Sequence, residues 1–279
     1  MRPAGRPSSL LLLATLAAGV CGCGAGGGPL QTVVAAAEAT LALTRTTYDV
    51  TLAGQRLVPA PTKLPGGHAA YDFTTGTGYE ALLVQRPDGA PQKLYLDYLP
   101  GAVYLLPWPA PRGLLPAGKL WIAVRYPASA RAPGPLAVEL EGLAPELPLE
   151  EIAWGAASAS FEGTREINHV PMRRYAVTVD LAKALARART AGRSAVAAAI
   201  ARERRAAPSG RARMTIFVTG PGHVGRIELT VPGSGVAAVT FQFTSFHAQF
   251  TPSPPPAARS VPVSAVAQPP SAVWALATA

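Results

Sequence analysis

Between Thr44 and Tyr126 apolar and polar residues alternate in short runs, and this period of two is the feature that most restricts the fold. In "KLWIAVRY", Leu120, Ile122, Val124 and Tyr126 fall on one face, with Trp121, Ala123 and Arg125 on the other. Successive side chains of a strand point to opposite faces, so such a run suits a sheet and not a helix. "TRTTYDVTLAG" alternates in the same way and ends at a glycine. The stretch from His68 to Pro107 is broken at Gly76–Gly78, at Pro87-Asp88-Gly89 and at Pro100-Gly101, residues that suit tight turns. Several antiparallel strands joined by short turns are therefore expected.

The alternation returns later. In "RRYAVTVD", Tyr175, Val177 and Val179 share a face. In "VGRIELTVPG", Ile227, Leu229 and Val231 do so, and in "AVTFQFTSF", Val239, Phe241 and Phe243. Three stretches read as helix instead. Thr32–Leu43 is rich in helix formers, with Val33, Ala37 and Leu41 at four-residue spacing. Residues 127–157 carry Leu136, Leu140 and Leu143, then Leu149, Ile152 and Ala153 after Pro145 and Pro148, which predicts two short helices meeting at a proline break. Asp180 caps a helix that begins "LAKALARA". The class is α+β: an antiparallel sheet of about ten strands, with a helix at its start and others inserted in its middle.

The N-terminus has a different character. Arg2 and Arg6 precede the eleven-residue apolar run Leu10–Val20. A bilayer span needs roughly 20 apolar residues, so this run suits the core of a secretory signal. The only cysteines, Cys21 and Cys23, follow at once, and then "GAGGGP". This is the layout of a bacterial lipoprotein signal, in which a peptidase cuts before a cysteine whose sulfur carries a diacylglyceryl group. Val20-Cys21-Gly22 before Cys23 fits the aliphatic-small-small pattern better than Ala18-Gly19-Val20 before Cys21. Cys23 is therefore the expected lipid anchor, with Cys21 leaving in the signal. A plain signal peptide and a Cys-x-Cys redox or metal pair are the alternatives. Metal sites need more ligands, and a disulfide across one residue is geometrically poor.

These features divide the chain into a lipoprotein signal (1–22), a flexible tether (23–31), a folded domain (32–251) and a Pro- and Ala-rich tail expected to be disordered (252–279). With Arg2 and Arg6 gone, the formal charge of +9 falls to +7. The stretch Asp180–Arg213 alone carries nine Lys and Arg against Asp180 and Glu203, again +7. Three readings of that basic stretch compete. It is a solvated helix in an Arg-rich composition, a loop open to proteases around Gly192, Pro208 and Gly210, or a contact for anionic lipid headgroups through Arg187, Arg189, Arg193, Arg202, Arg204 and Arg205.

Catalytic patterns are missing. His68, His169 and His223 stand beside Gly or Pro in expected turns, and His247 sits opposite an apolar strand face. No nucleophile elbow or phosphate loop occurs, and Glu150-Glu151 reads as a solvated pair on a short helix. The basic stretch has no aromatic between Tyr175 and Phe217, which argues against nucleic acid. Neither a catalytic role, a metal nor a cofactor is expected.

The order of elements, with "FEGTREINHVPMRRYAVTVDLAKAL" and "MTIFVTGPGHVGRIELTVPG", resembles the LppX/LprG-type cell-envelope lipoproteins. Glu162–Leu185 carries the most specific part of the likeness, and the basic insert at 187–213 and the Pro-rich tail depart from it. The resemblance implies a LolA-like fold: a strongly curved, incompletely closed antiparallel sheet with helices on its concave face. It also implies a membrane-anchored protein on the extracytoplasmic side, palmitate-type acylation of Cys23, and an apolar cavity for a lipid, glycolipid or lipid-linked cargo. One face of the strands would line it: Leu94, Leu96, Ile122, Val124, Tyr175, Val177, Ile227, Leu229, Phe241 and Phe243. The same residues serve equally as plain core. The alternative function is a surface-tethered sensor or partner of an envelope protein that holds no lipid.

Overall fold

The structure, a computed structural model, describes residues 27–43, 45–53, 66–85, 91–108, 113–125, 145–230, 238–246, 250 and 253–266. Cys21, Cys23, His247, the turn at 87–89, the first helix expected after residue 135 and the last part of the tail lie outside these residues.

The strands are β1 (Thr46–Ala53), β2 (Gly66–Asp72), β3 (Thr77–Gln85), β4 (Pro91–Leu99), β5 (Ala102–Trp108), β6 (Trp121–Arg125), β7 (Ala156–Ile167), β8 (Val170–Asp180), β9 (Arg211–Val218), β10 (Val224–Leu229), β11 (Ala238–Ser245) and β12 (Ser260–Pro262). The helices are α1 (Pro29–Leu41), α2 (Glu146–Gly155), α3 (Leu181–Thr190) and α4 (Ser194–Ala206). All twelve strands form one sheet, ordered β12-β6-β5-β4-β3-β2-β1-β11-β10-β9-β8-β7. Two meanders thus run outward from a central β1–β11 seam. Every pairing is antiparallel except the parallel β12–β6 pair.

The sheet is curved and does not close: among the described residues its edges, β12 and β7, pair with nothing further. Twelve strands at a spacing of about 4.8 Å would span about 53 Å if flat. Yet residues from both wings and all four helices share a single apolar cluster, which includes Ile122, Leu96, Tyr48, Phe241, Ile216, Val179, Val33, Ile152 and Ile200. Only a sheet wrapped around its helices brings such distant strands to one core.

Local chemistry explains the helices. α1 starts at Pro29, where a missing N–H costs nothing, and buries Val33, Ala36, Ala37 and Thr40 along one stripe. The Thr40 hydroxyl donates to the Ala36 carbonyl at 2.7 Å and accepts from the Val224 N–H at 2.9 Å, fixing the helix end to β10. α3 is capped by Asp180, whose Oδ1 accepts from the Ala182 and Lys183 N–H groups at 2.9 and 3.1 Å. The basic stretch then breaks at Gly192, with φ of 72°, and at Gly210, with φ of 63°, which separates α3, α4 and β9. At the end of α2, a Cβ on Gly155 would lie 2.7 Å from the Asp180 carbonyl and 2.8 Å from the Ala184 Cβ, so glycine permits the close approach of α2 to α3.

Two expectations change here. The sheet has twelve strands, not about ten. The start of the Pro-rich tail is ordered through 253–266: β12 pairs with β6, the Leu120 N–H donates to the Arg259 carbonyl at 2.9 Å, and the Lys119 Nζ donates to the Ala258 carbonyl at 2.7 Å. Those few bonds, made to an edge with free backbone groups, hold a segment whose composition alone gives no strand pattern.

Candidate ligand face on the concave side of the sheet

The register lines up the inward residues in transverse rows. One row runs Tyr175–Ile216–Ile227–Phe241–Val50, and another Phe243–Tyr48–Ala69–Glu80–Leu96–Leu105–Ile122. The ten apolar residues expected to line a ligand face all fall on this concave side. All are buried except Leu229, which is half-buried. Around the seam the face is aromatic. Tyr48 lies 5.9 Å from both Phe241 and Phe243, Phe73 joins Phe243 to Tyr71, and Tyr71 meets Tyr98 edge-on at 5.7 Å.

The sequence reading did not foresee the acids buried beneath the helices. Glu146, Glu150 and Glu151 on α2 are 3%, 5% and 2% exposed, so the solvated Glu150-Glu151 pair is a misreading. α2 is buried on every side over Glu146–Ile152 because it packs among α1, α3, α4 and the sheet, so no face of it meets water. The Tyr71 hydroxyl donates to Glu146 Oε2 at 2.9 Å, and Arg193 Nη2 donates to Glu146 Oε1 at 2.6 Å and lies 3.4 Å from Glu150 Oε1. Burial opposes the charge of Arg193, but Glu146 and Glu150 outweigh it and hold the guanidinium above its ordinary value. Arg193, half-buried, is therefore committed to these two acids and drops out of the proposed headgroup set. Arg187, Arg189, Arg202, Arg204 and Arg205 are exposed on α3 and α4.

Glu151 neighbours Glu203 of α4. Burial, then the neighbouring Glu203 and Glu150 charges, pushes Glu151 far above the usual carboxyl range, and burial raises Glu203 as well.

On the other wing Glu80, 1% exposed, stands between Ala69 and Leu96 in the inward row. Tyr98 donates to its Oε2 at 2.9 Å, and burial pushes the carboxyl up to about 8 despite that bond. Its Oε1 and the hydroxyl of Tyr48 have no partner among the described residues. A signal existed: Glu80 is in phase with Leu82 and Val84 in "YEALLV", the inward parity of its strand.

Among the described residues the histidines form no metal cluster. His68 is in β2, not in a turn, and its Nδ1 is 3.0 Å from Asp49 Oδ1 across the β1–β2 pair. His169 is in the β7–β8 turn with φ of 63°, and the His223 ring lies 5.1 Å from that of Phe246. Among the described residues no group of three His, Cys, Asp or Glu could hold a metal ion. No helix among them is long and apolar enough to cross a membrane.

A groove of about 710 Å³ crosses β7–β11; Ser158, Ser160, Thr178 and Thr215 line it together with Val177 and Leu229 of the expected ligand face.

No family model and no curated protein sequence matches the chain. Among solved structures it is similar to LprF from Mycobacterium bovis, with 13% identity, 81% of this chain and 96% of that one covered, and a TM-score of 0.46. It is similar to the lipoprotein LppX from Mycobacterium tuberculosis, with 12% identity, 77% and 92% covered, and a TM-score of 0.42. A LolA superfamily protein from Nitrosomonas europaea is similar at 8% identity, 78% and 93% covered, and a TM-score of 0.24.

Proposed function

We propose that the protein is a non-catalytic lipoprotein, anchored through Cys23 on the extracytoplasmic face of a membrane, that binds a lipid or lipid-linked molecule on the concave face of its sheet and carries it across the envelope. The carrying observation is the face itself: a continuous apolar and aromatic surface from β6 through β8, wrapped around helices whose buried side chains include many alanines (Ala36, Ala37, Ala184, Ala188, Ala197 and Ala199). Small side chains opposite large ones let the helices shift outward at a modest loss of contact, which suits an apolar guest. The anchor reading rests on the n-region, apolar run and cysteine of residues 1–23.

The test is native mass spectrometry of the full chain with Cys23→Ala, made in a host of its own type. Co-purifying acyl species support the reading. A clean unliganded mass that takes up no added lipid overturns it. A second reading, a tethered protein-binding module, is favoured by β7, an open edge strand with mostly exposed residues and Phe161 52% exposed.

A further inference from the structure

Tyr48 and Glu80 share one inward row two strands apart, about 10 Å between their backbones at the usual strand spacing, with only the methyl group of Ala69 between them. Both are fully enclosed, at 0% and 1% exposed. Burying a polar atom without a hydrogen bond is unfavourable, and two such atoms occur in this row: Tyr48 Oη and Glu80 Oε1 lack a partner among the described residues. Tyr98 is already donating to Glu80 Oε2, which leaves Oε1 as the free end of the carboxyl. The surroundings are Phe241, Phe243, Leu96 and Leu105, and among the described residues burial and the Tyr98 hydrogen bond, not a cation, act on Glu80.

We propose that Tyr48, Glu80 and Tyr98 form a polar subsite in the concave face that takes one uncharged oxygen, a hydroxyl or an ester carbonyl, of an otherwise apolar ligand. The inference rests on the lipid-binding reading and deepens it by naming the part of the ligand that is recognised. The chemistry favours a neutral group. Tyr98 donates to Oε2 as to a carbonyl oxygen, so a protonated Oε1 is a donor, and Tyr48 supplies a second O–H that donates or accepts. Two such groups suit one oxygen between them. A phosphate or carboxylate would meet a carboxyl in an apolar enclosure without a positive charge and is rejected. The body of the ligand lies on the aromatic rows to either side.

The experiment uses the full chain with Cys23→Ala and three probes: dioleoylglycerol, squalene (a hydrocarbon with no oxygen) and anionic dioleoylphosphatidate. Each is offered to the otherwise wild-type protein, to Tyr48→Phe and to Glu80→Leu, and binding and melting temperature are read together. Each variant should bind dioleoylglycerol about tenfold more weakly, the equivalent of one hydrogen bond. Squalene binding should stay the same in all three proteins, and dioleoylphosphatidate should bind weakest. Equal binding of dioleoylglycerol by all three proteins overturns the subsite while the carrier reading stands. An equal fall for both dioleoylglycerol and squalene, following the loss of melting temperature, shows a structural role and also overturns it. If neither neutral probe binds any of the proteins, the carrier reading itself fails and the subsite with it.

Discussion

Glu80 makes the stability of this protein depend on pH in a direction opposite to that of a paired carboxylate. In the folded chain burial raises its carboxyl from 4.5 to about 8, and in the unfolded chain it returns to the ordinary value. Between those limits the folded state holds a proton that the unfolded state has released, so stability is full below about pH 4.5 and declines as pH rises, levelling above about 8. Each pH unit in the interval costs about 1.4 kcal/mol, about 5 kcal/mol in total, against a typical domain stability of about 5–15 kcal/mol. Glu151 and Glu203 are raised too, and Asp97 is pushed by burial to about 6, so they add decline of the same sign. Glu80→Gln isolates one contribution, because the amide keeps the shape and cannot ionise. Urea unfolding at pH 5, 6, 7 and 8 should give similar stabilities for wild type and variant at the acid end, and a gap in favour of the variant that widens towards pH 8. Parallel profiles across this range would refute the reasoning, since they would mean that Glu80 ionises alike in both states.

Three further outcomes are expected. Cys23→Ala should release the protein from the membrane fraction while Cys21→Ala leaves it attached, and mass spectrometry of the attached form should find a modified N-terminal Cys23; one acyl chain holds marginally and two hold well. Arg193→Ala should lower stability in urea by about 3 kcal/mol, because it strands the buried Glu146 and Glu150 without their cation; an unchanged midpoint would show that those acids are neutral. Replacing Arg187, Arg189, Arg202, Arg204 and Arg205 by Gln should reduce binding of the soluble Cys23→Ala form to anionic vesicles at low salt, with no effect on neutral ones; if the unsubstituted form ignores anionic vesicles, the headgroup contact is excluded.

What could be read in the sequence follows from how local each signal is. β6, β8, β10 and β11 were legible because one face of each is apolar and the turns between neighbours are short, and α3 because Asp180 caps it. The concave position of Phe241 or Ile227 followed from the parity of their strands. The buried acids were not legible, because a Glu on a short helix is solvated in most surroundings and only tertiary packing enclosed α2 on all sides. Arg193 was misread for the same reason: its partners lie 47 and 43 residues earlier in the chain. Glu80 lay within reach, since an acid in phase with apolar neighbours marks either an error of register or a polar group inside. β12 was beyond reach, because Ser260–Pro262 has no alternation and is ordered only by the edge it meets.

The central seam has a consequence for how the chain assembles. Apart from the terminal β12–β6 pair, each wing is a meander whose strands pair with their sequence neighbours, so each closes mainly short loops and forms quickly. The β1–β11 pairing joins Thr47 to Ser245, across nearly the whole domain, and the hydroxyls of Thr47 and Thr244, 197 positions apart in the chain, meet at 2.9 Å. Loop closure of that length comes late, after both wings supply edges to pair. A cut between Arg125 and Pro145 would leave β1 on one piece and β11 on the other, and the two pieces should recombine through the seam edges, the β6–β12 pair and the Tyr71–Glu146 hydrogen bond.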